Sequence, residues 1–341
     1  MNASMLMNNA PIETAHPDES VLQLIHQAQT ILCVSHVSPD GDAYGSLLGM
    51  GWMLRHLGKA PVLAMHDETP DAFHFLPGID NVIAPAAVTA DYDLIICLDA
   101  SSVDRMGSVY RPTDHAAIPL LVIDHHFTNT RFGRVNWVDP SCAATCQMLV
   151  QLADALAIPL TGAVAACLLT GIVTDTLCFR TSNTNAAVLE AAMRLVQSGV
   201  NLADIVAHTL NRREYNIFRL WGAVLSTVQL EEGVIWATIS LAQKAAAGNL
   251  EDDGALSSML VTAVEADISA TFTEKIDDSG ALAVECSFRA KPGFDVGTLA
   301  FALGGGGHPP AAGCTLVGTL DEVTARVVAE LKKAHRAQGQ G

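Results

Sequence analysis

Short apolar runs alternate with longer stretches of helical period through the first half of the chain. Residues 31–35 (ILCVS), 61–65 (PVLAM), 93–98 (DLIICL) and 119–123 (PLLVI) are continuously apolar rather than alternating, which predicts strands buried on both faces. Residues 44–57, 143–157, 162–174 and 185–198 carry helical patterns, the last ended by Gly199 at a C-cap. This order predicts an α/β fold, a parallel sheet with helices on both faces, whose ligands bind beyond the carboxyl ends of the strands.

The pattern changes after residue 200. Residues 201–230 are helical in period and cluster Arg212, Arg213 and Arg219, as a connector would, with a substrate-facing and a solvated role both open for the arginines. Strands follow at 234–239, 268–275 and 281–289, the last alternating through Leu282, Val284, Cys286 and Phe288. Asp277-Asp278-Ser279-Gly280 predicts a hairpin turn with Gly280 at positive φ. A glycine run at 304–307 and an amphipathic helix at 320–335 close the chain. The expected division is a first domain at 15–198, a helical connector at 199–230 and a smaller α/β domain at 231–338.

Composition narrows the classes. The chain has 341 residues, half of them hydrophobic, and a net charge of −17, with −12 in residues 1–210 and −5 in the rest. Long-range attraction to a polyanion is thereby excluded as the main binding force, so long duplex DNA and anionic membranes are poor partners. Eight cysteines form no CxxC pair and sit mostly in apolar runs, which predicts buried reduced thiols and a cytoplasmic setting. The first twenty residues lack the basic start and apolar core of a secretory signal. The uncharged stretch 155–174 has a membrane-spanning length, but Pro159 and its Ala, Gly and Thr content predict a buried helix instead.

Chemistry gathers at the ends of the apolar runs. His36, Asp40 and Asp42 follow the first, Asp99 the third, Asp124-His125-His126 the fourth, and Asp175 the apolar helix. One such residue alone is usually a cap or a turn; four groups at one sheet edge point to a site. Carboxylates with imidazoles favour Mn²⁺, with Mg²⁺ or Co²⁺ as substitutes. Asp99 is placed to bridge two such ions, which would acidify a water and neutralise phosphoryl oxygens during in-line attack. The Gly305-Gly306-Gly307-His308 segment is a candidate anion site, its glycine amides and imidazole supplying donors, with a flexible loop as the bland alternative.

DGDAYGS at 40–46, the Asp-His-His triplet and GGGGHPPAAG at 304–313, with Asp99 and Asp175 in order, resemble the DHH phosphoesterase superfamily in its DHH-plus-DHHA1 branch. Length and the SFRAKPG segment are most similar to its bacterial nanoRNase type, which cleaves short oligonucleotides and dephosphorylates 3′-phosphoadenosine-5′-phosphate (pAp). The resemblance implies a DHH domain facing a smaller DHHA1 domain across a cleft. It implies one ion on His36, Asp40 and Asp99 and another on Asp42, Asp99, His125 and Asp175. His126 would face the scissile phosphate, and Asp124 would orient the ligands. Arg289, Lys291 and the glycine–histidine segment would bind substrate; Arg105 would touch phosphate or pair with Asp104. Ala290 and Pro309-Pro310 depart from the pattern and bear on substrate preference. A cyclic or linear dinucleotide phosphodiesterase is the nearest alternative, and a homodimer is the assembly to test. A RecJ-type exonuclease, an inorganic pyrophosphatase and a non-catalytic nucleotide sensor are more remote.

Overall fold

In the computed structural model, residues 16–250, 253–277 and 280–339 are described. The chain divides into two units, residues 1–212 and 213–341. In the first, β1 (Thr30–Val34), β2 (Ala60–Ala64), β3 (Val82–Ile83), β4 (Leu94–Leu98), β5 (Leu120–Asp124) and β6 (Val135–Val138) form one parallel sheet. The strand order is β3-β2-β1-β4-β5-β6. The chain therefore leaves β1 in one direction and β4 in the other, so a crevice opens between their carboxyl ends.

The helices of this unit are α1 (Glu19–Gln27), α2 (Gly41–His56), α3 (Pro112–His115), α4 (Thr145–Ala155), α5 (Gly162–Asp175), α6 (Ala186–Gln197) and α7 (Leu202–His208). Continuous hydrophobicity is explained by two cores. Ile31 and Cys33 pack with α2, α4 and α5, while Leu32 and Val34 join Ile95, Met106 and Val122 on the opposite face. That second face is covered by the 3-10 segment Val103–Val109, through Met106 and Val109, and by flanking loop residues such as Val88 and Ile118. The uncharged stretch 155–174 is the end of α4, a turn at Pro159 and most of α5. Among the described residues no helix is long and apolar enough to cross a membrane.

The second unit holds α8 (Tyr215–Val224), β7 (Gln229–Glu231), β8 (Val234–Ile239), α9 (Leu241–Ala246), α10 (Leu256–Leu260), β9 (Ile268–Ile276) and β10 (Leu282–Ala290). After them come α11 (Gly297–Ala302), β11 (Gly306–His308), β12 (Ala311–Val317) and α12 (Leu320–Gln338). Its sheet runs β11-β12-β10-β9-β8-β7, antiparallel except for β8 beside β9. The α12 side buries Val284, Cys286 and Phe288. The expected hairpin joins β9 to β10: Ala281 N donates to Asp277 Oδ1 and Gly280 has φ +84°. Asp278 and Ser279 lie outside the described residues. The expected connector is shared, α7 falling in the first unit and α8 in the second.

Candidate metal centre

Three groups able to hold a cation converge at the mouth of the crevice: His36, Asp40 and Asp99; Asp42, His125 and Asp175; and Asp99, His125 and His126. Each arrives from an element end. His36 lies two residues past β1, Asp99 follows β4, Asp124 ends β5, and Asp175 ends α5. Asp40 caps α2 by accepting from Asp42 N and Ala43 N, both at 3.0 Å, which also orients Asp42 in the first turn. Asp99 takes φ +60°, costly for a non-glycine residue and typical of backbone held for a site.

Asp99 is central. His36 Nε2 lies 3.5 Å from its Oδ2 and His125 Nε2 3.5 Å from its Oδ1. His36 Nε2 is 3.8 Å from Asp40 Oδ1, and His125 Nε2 is 3.3 Å from Asp175 Oδ2. Asp42, fully buried, accepts from Thr145 N at 2.6 Å and Cys146 N at 3.0 Å. Those are the first two amides of α4, so its carboxylate sits at a positive helix end. Thr145 Oγ1 donates to Asp99 Oδ1 at 3.0 Å.

The charges cannot all stand bare. Burial, and then Asp99, push the Asp42 carboxyl far above its ordinary range. Burial and then Asp42, Asp99, Asp40 and Asp124 do the same to Asp175, which also meets the negative end of α5. Burial lowers His125. Burial would also lower His36, but hydrogen bonds to Asp40 and Asp99 overcome it and lift the ring to about 10. Divalent cations would relieve these clustered carboxylates, so the donor set fits hard-to-borderline metal ions.

His126 is held differently. Its Nδ1 lies 2.7 Å from Asp124 Oδ1, and Asn129 Nδ2 donates to Asp124 Oδ2 at 2.6 Å. Burial opposes protonation of His126, but Asp124 and then Asp99 raise it to about 9. Thr145, Cys146 and Asn129 were not singled out from sequence; Asn129, three residues past the Asp-His-His triplet, is the one that local spacing offered. Arg105 Nη2 lies 3.0 Å from His36 Nδ1, and the Asp104 carboxyl is held low by the Ser102 hydroxyl and, more weakly, by the Arg105 charge. Tyr44 and Ser46 pack into the core behind the site.

The second group occupies one face of the second unit's sheet. Arg289, Ala311 and His308 stand directly opposite one another across β10, β12 and β11. Opposed residues share a face, so the arginine and the imidazole flank a floor of Ala311, with Ser287, Gly313 and Gly306 in a parallel row. The glycine run is thus an edge strand in its second half, and Pro309-Pro310 form the turn that closes its hairpin. Their carbonyls accept from Val296 N at 2.9 Å and Ala290 N at 3.0 Å. Gly305 precedes β11; Gly307 has φ +137° and lies so close to Ala312 that a Cβ has no room. Arg289 donates to Ser258 Oγ at 3.0 Å, and Lys291 to Ala263 O at 2.7 Å. Arg212 meets Asp71, Arg213 lies over the Trp221 ring, and Arg219 donates to Ala246 O.

Comparison with known proteins follows this division. Residues 30–172 match the DHH family, N-terminal domain, and residues 242–335 match the DHHA1 domain. A Thermus thermophilus bifunctional oligoribonuclease and PAP phosphatase is 38% identical over 304 residues, covering 89% of each chain. A Bacillus subtilis protein of the same description is 28% identical, covering 92% of this chain and 96% of its own. The structure of an exopolyphosphatase-related protein from Bacteroides fragilis superposes with a TM-score of 0.85 at 22% identity, over 93% of this chain and 97% of that one.

Proposed function

Since the chain belongs to the DHH family and carries a DHHA1 domain, we propose that this phosphoesterase uses two divalent cations, Mn²⁺ first, to hydrolyse short oligonucleotides and pAp. The convergence of His36, Asp40, Asp42, Asp99, His125 and Asp175 around one shared carboxylate carries the reading. One cation would rest on His36, Asp40 and Asp99, the other on Asp42, Asp99, His125 and Asp175. When bound, the pair supplies Lewis acidity that acidifies a water and draws charge from the phosphoryl oxygens.

The chain's own groups do the rest. Asp124 fixes the His126 ring and holds a proton on Nδ1, which leaves Nε2 to protonate the departing oxygen; the raised affinity keeps that proton in place near neutral pH. His36 offers Nε2 only with its proton on Nδ1, donated to Val37 O at 2.9 Å. Arg105 then gives up the ring nitrogen and faces substrate phosphate. Arg289, Lys291 and His308, with the amides of Gly305, Gly306 and Gly307, grip the terminal nucleotide. A cytoplasmic site of action and a homodimer belong to the same proposal.

The test is one Mn²⁺-supplemented turnover panel: pAp, RNA and DNA of two to five nucleotides, cyclic di-AMP and pyrophosphate. Turnover of pAp or short RNA at rates above the rest supports the reading. Preference for the cyclic dinucleotide favours the nearest alternative, and pyrophosphate alone overturns both. Asp99→Ala should lose cation content and turnover together; lost metal with retained turnover would sink the two-metal mechanism.

A further inference from the structure

Beneath the glycine–histidine hairpin lies a pair of thiols that hydrolysis does not use. Cys286 in β10 and Cys314 in β12 stand directly opposite each other in antiparallel register. Residues so opposed have Cα atoms about 4.5 or 5.5 Å apart, both within the span of a disulfide. The two side chains face the α12 core, Cys314 at 7% exposure being the more open of the pair and Cys286 at 1% the more enclosed. The Cys286 thiol donates to Val284 O at 3.8 Å. The neighbouring thiols act on each other in opposite senses, lowering Cys314 against its burial and raising Cys286 along with its burial. Cys33 and Cys97 also lie in strands, but their ladder partners are Leu63 and Ile96, and Val34 and Val122.

We propose that Cys286 and Cys314 form an oxidisable pair, closed to a disulfide by a hydroperoxide, and that closure is felt in the hairpin at residues 305–308. The Cys314 sulfur attacks the peroxide, the O–O bond breaks, and a sulfenic acid forms as water or an alcohol departs. The Cys286 sulfur then attacks Cys314 sulfur, the S–O bond breaks, and water leaves with the second thiol proton. Two electrons pass from the thiols to the peroxide.

The mechanical link is short. A disulfide holds its Cβ atoms about 3.8 Å apart, against about 4.5–5.5 Å in an open cross-strand pair, so closure draws the strands in by about 1 Å. Gly305 packs so tightly on this spot that a Cβ there would lie 2.5 Å from Cys314 Cβ and 2.7 Å from its Cα. Gly306, Gly307 and His308 pair with Gly313, Ala312 and Ala311, the three residues preceding Cys314. A shift of Cys314 therefore reaches the hairpin through both its backbone neighbours.

The experiment treats reduced full-length protein with excess hydrogen peroxide, alkylates it, and maps the peptides without reductant. The expected product is a peptide bridged through Cys286 and Cys314, about 2 Da below the sum of its parts. Amide exchange across residues 304–308 should change by about threefold or more on bridging. Alkylation of both cysteines after oxidation, or a bridge to any other cysteine, overturns the pair; a bridge with unaltered exchange overturns the coupling. Cys286→Ser should leave a Cys314 sulfenic acid that dimedone traps, with hairpin exchange as in the reduced protein. If that variant does not fold, the wild-type map alone decides. Neither readout depends on nucleotide turnover.

Discussion

Asp42 and Asp175 show how differently two carboxylates of one centre are held. Asp42 receives two amides from the start of α4, whereas Asp175 stands at the negative end of α5 with His125 Nε2 3.3 Å away. Replacing Asp175 by Asn should therefore stabilise the metal-free protein by about 1 kcal/mol while weakening cation binding, the usual trade of stability against function. Thermal melts in chelator and metal titrations test it; a metal-free variant that melts below the wild type overturns the argument. The pH response has a definite sign as well. His36 and His126 are raised to about 10 and 9, so the stability they contribute is complete below their unfolded value of about 6.5 and is lost as pH rises through 9–10. In chelator the melting temperature should fall from pH 6.5 to 9.5. With Mn²⁺ the fall should flatten, because ligation needs His36 in its deprotonated form, while the His126 contribution persists. Equal slopes with and without metal would remove His36 from the cation-binding set. The residues of the centre were legible because each ends an apolar run. Thr145 and Cys146 were not, because their amides meet Asp42 only through folding that joins positions more than a hundred residues apart.

The elements of the first unit were read nearly to their ends, since strands buried on both faces leave an unbroken apolar signature. α1, α3, β3 and β6 were missed; β3 and β6 are short, and VNWV carries a polar residue inside the run. In the second unit β12 escaped because AAGCTLV is too small in side chain to alternate visibly, and β11 because glycines carry no pattern. Pro309-Pro310 read as a departure bearing on substrate, yet their structural part is a hairpin turn. What sequence could not supply was the reason for small residues where helices cross. Gly171 of α5 is one case: a Cβ there would fall against Cys146 Sγ and 2.5 Å from Asp42 Oδ1. Gly171→Ala should cost about 1–3 kcal/mol by overpacking and, by displacing Asp42, reduce cation affinity about tenfold or more. A variant that is less stable but binds Mn²⁺ as the wild type does would show that α5 can yield without moving the carboxylate.

At the scale of the molecule, the net charge of −17 and a nucleotide substrate are reconciled by where positive charge resides. Five of the acidic groups, Asp40, Asp42, Asp99, Asp124 and Asp175, surround the centre, and two divalent ions would reduce the formal total to −13 while placing their charge beside the reacting phosphate. Beyond a Debye length of about 8–10 Å that local charge is screened, and the rest of the surface repels additional phosphates. Catalytic efficiency, kcat/KM, should therefore decline as oligonucleotides lengthen from two residues towards ten, by about tenfold or more, and added salt should relieve the penalty for long substrates while leaving dinucleotides little changed. His308→Ala separates this field effect from grip at the end of the strand. It should raise KM for dinucleotides several-fold with metal content intact, because His308 belongs to β11 of the second unit and none of the groups able to hold a cation includes it. The length dependence should persist in that variant, since it arises from the whole surface and not from one imidazole. An unchanged KM would remove the glycine–histidine face from substrate binding, and a length preference abolished by the substitution would locate selectivity at His308 rather than in the charge of the molecule.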